Sequence, residues 1–462
     1  MSFDPVMAET RFGCGLSPKV PRPQAVDTMI ARLKEPDAAA LEFPVAQFDT
    51  FRDTFETYTA LNRERRRLDD AGGESAGVRE EAKQLMQSMR RRNLEWAWQA
   101  MMRCTWTRDG FRERLAFFWF DHFAAYGKGR LYKLLGSTYV EEAIRPNLAR
   151  KFEDLLIAAA THPFMLLFLD QHRSVGPNSA FAQKKGGTTG LNENLAREVL
   201  ELHTLGVGGP YSQDDVRQLA ELFTGLSWNY RKGFRYLESR SEPGAETVLG
   251  KRYGGADGSL EDIHAVLRDL ARHPVTARHL STKLARHFVA DTPPEPLVAA
   301  MTSVYLDTNG DLAAVYGAML SHDDAWRSDL GNVKRPVDFV ASGFRALAIA
   351  PELGDSWRPR DFRRYLLAPL TLMGQPWERP PGPQGWPEED SQWLSPQGLA
   401  ARLQWALSAP AVLSDPLPDP RAFVTDALGG EVPSSVTFAA RAAENRVEGI
   451  ALVLMSPAFQ RH

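Results

Sequence analysis

The residues best placed to do chemistry lie in one stretch, Leu191 to Gly206, which reads LNENLAREVLELHTLG. It gathers Glu193, Glu198, Glu201, Asn192, Asn194 and His203 into what reads as a single helix. On a wheel of roughly 100° per residue, Glu193, Arg197 and Glu201 follow one another at i, i+4 spacing, with Thr204 on the same arc. That arc reads as a solvated face carrying a ladder of ion pairs. Glu198 differs, because it falls among Leu191, Leu195, Leu202 and Leu205. His203 falls across the helix, beside Ala196 and Val199 and near Asn192. A carboxyl in apolar surroundings is either paired or keeps its proton to higher pH, which makes Glu198 a candidate acid or base. Both residues are also readable as hydrogen-bonded struts, Glu198 to an Arg or a backbone N–H and His203 to a carbonyl.

A second polar pair, Asp121 and His122, interrupts the apolar run of WFDHFAAY, and burying it requires partners. Asp170 ends another such run, HPFMLLFLD. Asp121, His122, Asp170, Glu198 and His203 form a pool of donors suited to zinc, iron or manganese, provided three meet within about 2.0–2.2 Å of one point. The local spacing gives such a site little support. A di-iron Glu-x-x-His pair is absent, since Leu200 stands three before His203 and Glu201 lies roughly 160° away around the helix. No HExxH occurs, Ser174 and Ser179 lack a nucleophile elbow, and KKGGTTG has neither the order nor the preceding strand of a phosphate loop. Cys14 has no marked His partner.

The elements needed to position these groups read as helices. Residues 1–20 read as an arm with a compact turn at Gly13–Gly15, followed by a helix over Pro23–Leu33. Leu61 to Met89 interleaves acids and bases and predicts an exposed helical hairpin broken near Ala71–Gly73. A helix from about Phe111 to Tyr126 is apolar almost all round, so it is expected to be buried on several sides. Pro146 and Pro163 mark first turns, Ser212 caps a helix with Asp214 and Asp215 in its first turn, and Asp311 caps another. His162 reads as a turn or capping residue, and His279 and His287 as surface or helix-packing residues. FRYLES and ETVLGKRY, around a turn at Glu242–Gly244, predict one hairpin. MGQPWERPPGPQGWPEEDSQW cannot be regular helix and predicts a rigid loop anchored by Trp377, Trp386 and Trp393. The expected fold is therefore mainly α: a multi-helix array with one small β-hairpin and a long Pro/Trp-rich loop. It spans 1–462 as one unit, divisible into lobes 1–230 and 231–462.

Composition narrows the classes. The chain has 462 residues, 43% hydrophobic and 24% charged, as expected of a globular protein. A net charge of −3 provides no field for recruiting nucleic acid. Two cysteines make no disulfide framework, and two buried thiols are the simpler expectation. No export signal is seen at MSFDPVMAETRFGCG and no apolar run is long enough for a membrane span, so a cytoplasmic location is expected.

Several segments, in order, resemble one bacterial family, the domain of unknown function 1800. They include RFGCGLSP, WFDHFAAY, HPFMLLFLDQHRS, NENLAREVLELHTLGVGGPYSQDDV, LFTGLSW, HPVTARHLSTKLARHFV, TNGDL, KRPVDFV, MGQPWERPPGPQGW and VLMSPAFQRH. The resemblance covers nearly the whole chain and implies a mainly helical protein without implying a reaction. Many relatives carry an export signal that this chain lacks. Relatives often carry His-Asp at the hairpin turn, where this chain has Ser241 and Glu242, so a role needing that His is not expected here.

Two functions fit these residues. The first is an enzyme with a pocket between the 111–126 and 192–205 helices. In it Glu198 is base or ligand, His122 and His203 are ligands or proton shuttles, and Asp170 and Asn194 are orienting groups. Loops 174–190 and 374–393 would cover that pocket, and metal-assisted hydrolysis or oxidation is the expected chemistry, with Asp121, His122, Glu198 and His203 as metal ligands. The second is a non-catalytic scaffold, or a protein that binds a protein partner, with the same residues as struts.

Overall fold

The computed structural model describes residues 3–185, 190–256, 258–329 and 331–462. The charged stretch forms the expected hairpin, helix Arg52–Asp70 turning near Gly72 into helix Ala76–Trp106. The first half of the second helix is polar and exposed, whereas beyond Met86 it buries Leu94, Trp96, Trp98, Met101 and Met102. Those side chains feed two cores. Trp96 belongs to one that also holds Phe12, Phe48, Trp119, Phe152, Leu200, Leu284 and Tyr316. Leu94, Trp98 and Met101 belong to another, with Phe339, Phe344, Trp405, Phe423 and Ile450. Residues on both sides of position 230 contribute to the first core.

Helix Gly110–His122 is the buried element its composition requires, every residue but Phe117 being shielded from solvent. Asp109 caps it, accepting from the Arg112 N–H at 3.2 Å. Caps expected at Ser212 and Asp311 are present, as are helix-starting prolines at Pro146 and Pro163. The Pro/Trp-rich loop is irregular up to a short helix at Asp390–Trp393, and Trp386 and Trp393 are buried.

Three local expectations change. The chain forms two hairpins, not one: Gly233–Tyr236 pairs with Leu226–Asn229, and Gly244–Val248 pairs with Lys251–Gly255. Each strand pairs across its own short turn, and Leu249–Gly250, both at positive φ, form the tight one. The N-terminal residues are no arm. Pro5–Met7 and the wider turn Ala8–Phe12 place Glu9, Arg11 and Phe12 inside the protein. The Asn194–Glu198 helix loosens into a π-helical turn over Val199–Thr204, so a 100° wheel misplaces its end. Thr204 is consequently buried, and its hydroxyl donates to the Val199 carbonyl, five residues back, at 2.7 Å.

One side chain ties the N-terminal turn to the second core. Arg345, 1% exposed, donates to the carbonyls of Gly15 (2.8 Å), Cys104 (2.9 Å), Thr105 (3.2 Å) and Thr107 (2.9 Å). It also meets the buried Glu9 carboxylate at 3.3 Å. Removing it strands four acceptors and one charge in the interior, a loss of about 3–5 kcal/mol. Arg345→Ala is expected to lower the denaturant midpoint by that amount, and Arg345→Lys to recover little, because an ammonium cannot span the five acceptors.

Candidate functional site

The residues singled out in the 191–206 stretch separate into different environments. The ion-pair ladder is present: Arg197 meets Glu193 at 3.3 Å and Glu201 at 3.1 Å. Glu198 is half-buried, and burial, then the nearby Glu201, pushes its carboxyl up to about 7. His203 is buried against Phe123, with ring centroids 4.9 Å apart, and His122 lies 5.9 Å away. Burial, with Lys283 and His279 nearby, takes His203 down to about 3. His122 donates from Nε2 to the His203 carbonyl at 3.2 Å, and His279 binds the Leu202 backbone. These two histidines satisfy carbonyls released where the π turn ends. Asp170, at φ 57°, pairs with Lys128 at 2.7 Å on the surface. Asn194 is exposed, and its N–H donates to Asn192 Oδ1.

Among the described residues no hydrogen bond or ion pair joins Glu198 to His122 or His203. Nor does any group of three or more His, Cys, Asp or Glu side chains among them converge where it could hold a metal ion. The zinc, iron or manganese site expected from Asp121, His122, Glu198 and His203 is therefore not assembled by this geometry. Asp121 is committed to Arg335 and the Trp386 backbone N–H, His122 spends Nε2 on a carbonyl while its Nδ1 has no partner among the described residues, and Glu198 bonds neither histidine. Residues 186–189 of the KKGGTTG segment lie outside the described residues. His279 and His287 pack between helices as one of the two expectations had it, His287 being buried.

What the fold does gather lies at the seam of the two cores. A narrow cavity there is walled by Trp96, Phe120 and Trp386 from the first core and by Val337, Phe117 and Trp377 from the second. Helix Gly110–His122 presents Glu113, Phe117, Phe120 and Asp121 to it, at i, i+4, i+7 and i+8. The helical segment that begins at Gly136 adds Ser137, Val140 and Glu141 in the same periodicity.

Most charges around the cavity are already paired. Arg145 clamps Glu113 through both guanidinium nitrogens, each at 2.8 Å. Arg103 holds Glu141 at 2.8 Å. Arg335 bridges Asp121 (2.7 Å) and Glu388 (2.5 Å), while His287 Nδ1 meets Glu388 at 3.1 Å. Burial alone would raise Glu388, but Arg335 and His287 hold it far below the usual carboxylate range. Asp121 accepts the Trp386 N–H at 2.7 Å, and burial raises its carboxyl more than Arg335 lowers it. Gly385 is required there, since a Cβ would collide with Asp121 Oδ1.

Glu378 is the exception. It lies in the loop between Trp377 and Pro380, at φ 51°, a left-handed conformation that costs a non-glycine residue about 1–2 kcal/mol. Among the described residues no cation pairs with it, and its hydrogen bonds come from Ser137 alone, whose hydroxyl donates to Oε1 at 2.5 Å and whose N–H also reaches the carboxylate. Gly136 leaves room for this approach, because a Cβ there would strike Oε2. Burial drives the Glu378 carboxyl up to about 7 against the pull of those bonds. Two residues of the same lining, Trp377 and Trp386, have buried indole N–H groups without an acceptor among the described residues.

Residues 8–461 match a family described as a protein of unknown function (DUF1800). The chain belongs to that family. Searches of curated proteins and of solved structures give no match. Among the described residues, no helix of this DUF1800 chain is long and apolar enough to cross a membrane.

Sequence reasoning placed Asp121 and the 374–393 loop near a site and missed Glu378, Ser137, Arg335 and His287. One signal was available: Glu378 is a carboxylate set among tryptophans and prolines in a segment read as rigid. Because the fold raises Glu378 above its ordinary value near 4.5, folding favours its protonated form. Its contribution to stability is complete below about pH 4.5 and falls away as pH rises through about 7. Glu378→Gln, which keeps the shape without the charge, is expected to match the parent's melting temperature at acid pH. At alkaline pH it should exceed the parent's, by a stability of order 1–3 kcal/mol. Melting curves across that range check it.

Proposed function

We propose that the chain is an enzyme that uses Glu378 as a general acid–base group in the seam cavity to hydrolyse an uncharged acyl compound. The observation that supports this best is the placement of Glu378. It is an unpaired carboxyl, fixed by Ser137 in a strained backbone conformation, facing a cavity whose other carboxylates are neutralised by arginine. A group titrating near 7 is matched to proton transfer in both directions at neutral pH.

In this reading the Glu378 carboxylate takes a proton from water as the water oxygen attacks the substrate carbonyl carbon. The proton then passes from Glu378 to the leaving oxygen as its bond to carbon breaks. Trp377 and Trp386 supply N–H donors to the oxygen on which charge develops, and their rings, with Phe117 and Phe120, hold an apolar substrate face. Arg103, Arg145 and Arg335 are saturated by Glu141, Glu113, Asp121 and Glu388, so they shape the cavity without attracting an anion. Glu198, His203, His122, Asp170 and Asn194 are struts or surface groups here, not catalytic residues.

A panel of uncharged nitrophenyl esters provides the test. Turnover is expected to rise with pH through a midpoint near 7 and to fall by about 10²–10⁴-fold in Glu378→Gln. Ser137→Ala is expected to move the midpoint upward, since it removes a hydrogen bond to the ionised form. Turnover that survives Glu378→Gln in a folded protein rules the proposal out.

A further inference from the structure

A second cleft, separate from the seam cavity, carries the opposite electrostatic character. It lies between the short helical turn Gln171–Arg173, the helix Ala180–Lys184 and the hairpin Leu226–Asn229/Gly233–Tyr236, and has a volume of about 410 Å³. Its polar lining is His172, Arg173, Ser227, Trp228, Asn229 and Arg240, with no Asp or Glu among the described residues.

Neither arginine pairs with a carboxylate among the described residues. The Arg173 side chain is exposed and makes no ion pair or hydrogen bond among the described residues. Arg240 spends one donor on the His172 carbonyl, at 3.1 Å, and its guanidinium lies over the Phe181 ring, 4.9 Å from the centroid. The ring holds that planar fork in place while leaving its remaining donors unspent. The nearby Asp170 is already taken by Lys128.

The third observation is an orphaned donor. Trp228 is 4% exposed and meets Phe48 and Phe55 in T-shaped contacts, yet its indole N–H has no acceptor among the described residues. A buried donor left unmade is costly and ordinarily has a partner. The Ser227 hydroxyl, beside it in the chain, makes no hydrogen bond either among the described residues. Two unneutralised guanidiniums and a hydroxyl therefore line one cleft, with donors in excess and no balancing negative charge among the described residues.

We infer that the cleft formed by Arg173, Arg240, Trp228 and Ser227 is a binding site for a phosphate group borne by a small molecule. A phosphate dianion offsets both guanidinium charges, and its several acceptor oxygens match the donors that the protein leaves unused. A single carboxylate carries half that charge. The apolar part of such a ligand would lie along Phe181, Val175 and Leu237, which complete the lining.

Calorimetric titration of the full chain with inorganic phosphate and with phenyl phosphate, at low salt and neutral pH, tests this. Both are expected to bind, phenyl phosphate more tightly. Arg173→Ala and Arg240→Ala should each weaken binding at least about tenfold. Arg235→Ala, an exposed change on the same hairpin outside the cleft lining, should leave binding as it was. Absence of phosphate binding by the parent chain overturns the inference. So does equal binding by the Arg173→Ala/Arg240→Ala double variant, or acetate binding as tightly as phosphate.

Discussion

The seam of this protein depends on one buried guanidinium. Arg335 stands immediately before helix Pro336–Ala346 of the second core and reaches Asp121 on the buried helix of the first. It also holds Glu388, which His287 grips from the helix Pro274–Phe288. Four segments distant in sequence are thus joined through one positive charge. Such a charge cannot be left alone in the interior, so the carboxylates have to be delivered to it together or the surfaces cannot close.

That constraint explains why the Pro/Trp-rich loop is ordered without being a helix. Its backbone is pinned where the Trp386 N–H meets Asp121, and its Glu388 is pinned on Arg335. Proline removes both donors and conformational freedom from the span between, so little entropy remains to be lost on docking. Rigid anchoring of this kind allows Glu378 to be kept in an unfavourable backbone conformation and away from any cation. The same arrangement accounts for the different behaviour of neighbouring carboxyls. Arginine and histidine hold Glu388 below the usual carboxylate range, whereas burial lifts Glu378 to about 7 with no cation among the described residues to offset it.

Periodicity and local chemistry made the helical class legible, together with the caps at Ser212 and Asp311, the buried character of Gly110–His122 and the loop anchored by Trp386 and Trp393. The ladder Glu193–Arg197–Glu201 was legible too, since its three members sit on one stretch of helix. Other features could not be read. A π turn has the same composition as an α turn, so the position of Thr204 depended on winding that sequence spacing does not encode. Strand partners followed turn geometry at Leu249–Gly250 more than the run of β-forming residues. The seam cavity was hidden for a more general reason. Ser137, Asp121, Arg335 and Glu378 lie on separate elements, and nothing local to any of them indicates which others it will meet. A dense polar motif such as NENLAREVLELHT drew attention because it is dense, yet its groups are dispersed by the helix that carries them.

The helix Ala76–Trp106 has a further consequence. It feeds Trp96 to one core and Trp98 to the other, two residues apart, so the two interiors share a single rod. A break in that rod would remove support from both at once. Unfolding should then appear as one transition in spite of two cores. A ligand wedged in the seam would act as mortar between them, shifting the whole transition upward by mass action instead of protecting one half.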